Sequence, residues 1–90
     1  KHFIIGMMSN KDHKKYISYF KDISSLTTVD IPNQPNAISG KKLEEKFQNV
    51  FNAKYENNIE KAIKSLSLKE NDILIITGSL YLAGEILNLN

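Results

Sequence analysis

Apolar and polar positions alternate along this chain in two rhythms that keep changing places. Residues 2–6 are a short apolar run closed by Gly6, which predicts a buried strand. Over residues 12–23 the apolar positions Tyr16, Ile17, Phe20 and Ile23 fall at helical spacing. Residues 26–31, rich in β-branched side chains, predict a second strand, and Pro32 and Pro35 then forbid regular structure up to Ser39. Ser39 is placed to cap a helix over residues 41–52 with Leu43, Phe47, Val50 and Phe51 on its apolar face. Residues 53–55 fit a short edge strand. Asn57 or Asn58 can cap a helix carrying Ile59, Ala62, Ile63 and Leu66 on one face. The unbroken apolar run of residues 73–76 predicts a buried parallel strand over 72–77. A helix with Leu80, Ala83, Ile86 and Leu87 turned inward follows it.

Strand and helix alternate throughout, so the expected fold class is α/β: a three-layer, Rossmann-like, mostly parallel sheet with helices on both faces. In such a sheet every strand-to-helix loop emerges on the same edge, which gathers residues 6–12, 31–39 and 77–81. Ligands of open parallel sheets bind at that carboxyl edge.

Ninety residues make one small α/β domain, and 41% hydrophobic with 24% charged residues is the composition of an ordinary globular protein. The net charge of +2 comes entirely from lysine on the basic side. Without an arginine fork, and with the lysines interleaved with acids as in residues 41–46, a nucleic-acid partner is not expected. No apolar stretch approaches the roughly 18 residues of a membrane span, so no membrane partner is expected either. The absence of cysteine removes disulfides and thiol chemistry and fits a reducing, cytoplasmic setting. The chain opens directly into a strand with no initiator methionine, as a segment of a longer protein would.

Candidate chemistry concentrates on two of the gathered loops. Gly78-Ser79, at the end of the last strand, brings backbone N–H groups and a hydroxyl to a helix start, where a carboxylate or phosphate can be held. The same residues also read as an ordinary capped turn. Tyr81 sits in the first turn after it, placed either to reach a ligand or to cover the sheet edge. Lys11 and Asp12 follow the first strand. Lys11 can neutralise an anion while Asp12 orients it, or Asp12 is a helix cap and Lys11 a solvated lysine. His2 and His13 have no companions at metal-ligand spacing, and neither a phosphate loop, a dinucleotide fingerprint nor a nucleophile elbow is present. The chain holds no complete catalytic apparatus and no metal site of its own.

Three stretches carry a family resemblance. Residues 3–12, Phe-Ile-Ile-Gly-Met-Met-Ser-Asn-Lys-Asp, residues 31–39, Ile-Pro-Asn-Gln-Pro-Asn-Ala-Ile-Ser, and residues 72–85, ending Thr-Gly-Ser-Leu-Tyr-Leu-Ala-Gly-Glu, come in an order and at gaps that span nearly the whole chain. Together they resemble the C-terminal domain of the Mur ligase superfamily, in particular its folylpolyglutamate synthase/dihydrofolate synthase branch. The resemblance implies a parent enzyme that uses ATP and Mg2+ to phosphorylate the carboxylate of dihydropteroate or a folate, which the amino group of glutamate then attacks. It implies Lys11 and Ser79 as contacts to the incoming glutamate, with Asp12, Gly78 and Tyr81 in the same site. The partner would be the N-terminal ATPase domain of the same polypeptide, in a monomeric enzyme. The family's Asp-Gly-Ala-His-Asn-Pro segment, its phosphate loop and its carbamylated lysine are not in this sequence, so the isolated chain is expected to be inactive. Two other readings stay open: a free-standing phosphate- or nucleotide-binding domain, and a non-catalytic interaction domain.

Overall fold

The computed structural model describes residues 1–48 and 52–77. In chain order these form β1 (His2–Ile5), α1 (His13–Ile17), β2 (Ser25–Val29), α2 (Gly40–Phe47), β3 (Lys54–Glu56), α3 (Ile59–Ser65) and β4 (Leu74–Thr77). The strands make one four-stranded parallel sheet in the order β3-β2-β1-β4. Register runs Phe3 beside Leu26 and Ile75, and Thr28 beside Tyr55.

Because successive strand side chains point to opposite faces, β1 and β2 feed two separate cores. Phe3, Ile5 and Leu26 join Ile17 of α1 and Leu43 and Phe47 of α2 on one face. Ile4 and Val29 join Ile59 and Ala62 of α3 on the other. Helices thus cover both faces and the architecture is the three-layer α/β class expected from the sequence. Two stacked and edge-on aromatic contacts, Phe3–Phe20 at 4.6 Å and Tyr16–Phe20 at 5.2 Å, close the first core at its side.

Helix starts follow the local signals. Asp12 accepts from the Lys15 N–H (3.1 Å), Ser39 from that of Lys42 (3.2 Å) and Asn58 from that of Lys61 (2.8 Å), three side-chain caps at three helix starts. The ends differ from expectation. α1 stops at Ile17 rather than near residue 23. The Ser18 hydroxyl donates to the Lys15 carbonyl at 2.6 Å, Tyr19 and Phe20 close tighter turns onto Tyr16 and Ile17, and Asp22 takes a left-handed φ of 58°. Phe20 and Ile23 still pack against the core, which is why their spacing mimicked a longer helix.

β2 ends at Val29, two residues short of the expected residue 31, and the Asp30 carboxylate just beyond it accepts the Gly40 N–H at the start of α2. α2 ends at Phe47, and the expected core positions Val50 and Phe51 lie outside the described residues. β4 is half-buried rather than buried, since among the described strands it pairs on one side only, with β1. An apolar run reads alike in a central and an edge strand. Ile73, just before β4, is 53% exposed, and the helix expected after β4 lies outside the described residues.

Candidate functional site

The loop after β1 (residues 6–12, loop 1) and the loop after β2 (residues 30–39, loop 2) meet at the carboxyl edge of the sheet, as the alternation requires. They join as a short antiparallel bridge between Met8 and Ala37. The Ser9 N–H and hydroxyl both donate to the Asn36 carbonyl at 2.8 Å, and the Ile38 N–H donates to the Met7 carbonyl at 3.1 Å. Gly6 reaches the end of β4, its N–H donating to the Thr77 carbonyl at 3.3 Å.

Loop 1 is folded around one acceptor. The Met8 carbonyl takes the Lys11 N–H at 3.4 Å and the His13 Nε2 at 3.0 Å. His13 is buried, so this hydrogen bond holds the loop to the first turn of α1. Sequence reasoning considered His13 only as a metal ligand and passed over this role. A histidine at the first position of a helix that packs on a sheet was the available signal.

Lys11 and Asp12 are both exposed and line one cleft of about 340 Å³ with Met7, Lys15, Tyr16 and Tyr19. Its wall is tied to the last described strand: the Tyr16 hydroxyl and Thr77 Oγ1 are 2.5 Å apart. This contact ties α1 to the last residue of β4. Gly78, Ser79 and Tyr81 themselves lie outside the described residues. Of the two local roles open to Asp12, capping is the one seen: Oδ1 takes the Lys15 N–H, and Lys11 makes no ion pair among the described residues. Tyr19, 69% exposed at the mouth of the cleft, was not foreseen as part of it.

Loop 2 is built differently. Asp30 Oδ1 accepts the Gly40 N–H at 2.7 Å, and Oδ2 accepts the Tyr55 hydroxyl at 2.5 Å. That hydrogen bond, helped by burial and by the negative charge of Asp30, pushes the Tyr55 hydroxyl up from 10.0 to about 12. Thr28 completes the junction, its buried hydroxyl donating to the Gly40 carbonyl at 2.7 Å. Gly40 permits it: a Cβ there would lie 2.6 Å from the Tyr55 ring and 2.8 Å from the Val29 carbonyl carbon. Among the described residues no three His, Asp or Glu side chains gather as a metal centre, and no helix is long and apolar enough to cross a membrane.

The molecule is thus an all-parallel, three-layer α/β domain that presents a lysine-flanked cleft at the carboxyl edge of its sheet. Its fold is similar to part of the folylpolyglutamate synthase of Mycobacterium tuberculosis, whose crystal structures hold ADP and AMPPCP, with a TM-score of 0.81. The two are 18% identical, and the likeness covers 98% of this chain but 23% of that one. Neither family models nor curated proteins match the chain.

Proposed function

We propose that this chain is one domain of an ATP-dependent ligase that joins glutamate to dihydropteroate or a folate, and that it positions the incoming glutamate. The observation that carries the reading is the fold likeness to a folylpolyglutamate synthase over 98% of the chain, at the same time as only 23% of that enzyme's length. The resemblance carried by residues 3–12, 31–39 and 72–85 points to the same branch of ligases. In this reading the chain corresponds to the C-terminal domain, and the ATP site belongs to an N-terminal domain of the same polypeptide.

Lys11 is the cation on the carboxyl edge that would meet a glutamate carboxylate, beside the cleft walled by Tyr16 and Tyr19. Ser79 and the Gly78 turn would receive a carboxylate from the other side, with Tyr81 against the amino acid. Asp12, held as a cap, would fix the start of α1 and through it the backbone that presents Lys11. Holding the amine in line with an acyl phosphate is the whole of the catalytic contribution assigned to this domain. The isolated chain would therefore release no ADP.

The test is glutamate-dependent ADP release by the full polypeptide with magnesium present, offering dihydropteroate and a reduced folate separately. Release should require glutamate and a pterin acid together. Lys11→Ala and Ser79→Ala should each lower kcat/KM for glutamate by about ten- to a hundredfold, the range of one charge-assisted hydrogen bond at about 1.5–3 kcal/mol. Release indifferent to every pterin acid would remove the folate assignment. Normal turnover in both variants would leave a ligase whose glutamate site lies elsewhere.

A further inference from the structure

A second concavity, of about 530 Å³, opens between loop 1 and α2. Ser9 and His13 line it from one side, Ser39, Lys42 and Lys46 from the other, with the end of loop 2 between them. It shares no lining residue with the Lys11 cleft. We propose that this groove binds a multiply charged oxyanion, a phosphate-bearing or polycarboxylate small molecule.

Charge is the first argument. Lys42 and Lys46 are four residues apart, on one face of α2. Neither has an ion-pair partner among the described residues, whereas Lys41 of the same helix and Lys64 of α3 do, with Glu44 and Glu60. No carboxylate lines the groove, so its positive charge is unbalanced within it.

Hydrogen-bonding capacity is the second. Ser39 Oγ already accepts the Lys42 N–H, which leaves its own O–H to donate. His13 is more than nine-tenths buried, yet it lines the groove. Its Nε2 is committed to the Met8 carbonyl, and its Nδ1 has no partner among the described residues. Size is the third argument: the volume falls within the roughly 300–1,000 Å³ of small-molecule sites, well above what one inorganic ion needs. The inference does not rest on the ligase reading, since no residue of the Lys11 cleft enters it.

The experiment is a titration of the full protein with sulfate, a dianion that keeps its charge across neutral pH, followed by amide and imidazole NMR shifts. Saturable shifts should centre on the His13 ring and on Ser39, Lys42 and Lys46. The double variant Lys42→Ala, Lys46→Ala should weaken binding at least about tenfold, as expected for losing charge-assisted contacts, while Lys11→Ala leaves it unchanged. Pyrophosphate run against citrate at pH 7.5 then names the chemistry, whichever binds the groove more tightly. Shifts that grow linearly without saturating, binding that survives the double variant, or shifts centred on Lys11 would each overturn the proposal.

Discussion

The two loops that meet at the carboxyl edge are fastened in opposite ways. Loop 2 is locked by side chains that reach far along the sequence: Asp30 to Gly40 and Tyr55, and Thr28 to Gly40. Loop 1 is held mostly through its backbone, around the Met8 and Asn36 carbonyls, and its charged side chains at Lys11 and Asp12 stay exposed beside a cleft. A side-chain-locked loop beside one whose Lys11 makes no ion pair among the described residues is an arrangement suited to a binding edge. One loop sets the frame, and the other keeps charge available for a ligand.

Substitutions should therefore be costly where loop 2 joins α2 and cheap in loop 1. Gly40→Ala is expected to be the most damaging, at about 3 kcal/mol in urea unfolding, because the new methyl meets the Val29 backbone and the Tyr55 ring at under 3 Å. A loss below about 0.5 kcal/mol, the size of an ordinary surface change, would mean that α2 is not packed onto β2 and β3 as described. Asp30→Ala should cost about 2 kcal/mol, since it leaves the Gly40 N–H and the Tyr55 hydroxyl without their acceptor. Asp12→Ala, which removes only a cap, should cost about 1 kcal/mol. Lys11→Ala should leave stability within about 0.5 kcal/mol while it changes ligand binding. If Asp12→Ala proved costlier than Asp30→Ala, the contrast between the loops would be reversed.

The same lock has a pH signature. Folding raises the Tyr55 hydroxyl from 10.0 to about 12, so the neutral phenol is favoured in the native state. Its contribution to stability is complete below pH 10 and is lost as pH rises from 10 towards about 12. The stability advantage of wild type over Tyr55→Phe should shrink across that window in urea titrations. A difference that stays constant with pH would separate Tyr55 from Asp30.

Much of this was legible in the residues themselves. All the described strands and helices were anticipated, and every helix start to within a residue or two, because periodicity and caps are local: Asp12, Ser39 and Asn58 each act on the N–H three residues ahead. Errors fell where a side chain outvoted the pattern. Ser18 and Asp22 closed α1 early although Phe20 and Ile23 kept the helical spacing. Lys11 and Asp12 were singled out and lie on one cleft, but Tyr16 and Tyr19 beside them were read as packing or left aside. His13 was overlooked because its partner is a backbone carbonyl, which no motif encodes.

The order of the elements, their parallel sense and the edge on which the loops collect were thus readable from the residues alone. Those follow from side-chain period, chain direction and turn chemistry, all of which act over a few residues. That β4 returns to lie beside β1, and that Tyr16 meets Thr77, Tyr55 meets Asp30 and His13 faces a groove, emerged from the folded chain alone. The first three of these join residues 61, 25 or more than 70 positions apart, counting Tyr16–Thr77, Tyr55–Asp30 and His2–Leu74. Whether such pairs form depends on which faces remain to be buried once the sheet has closed, and no short window of sequence carries that information.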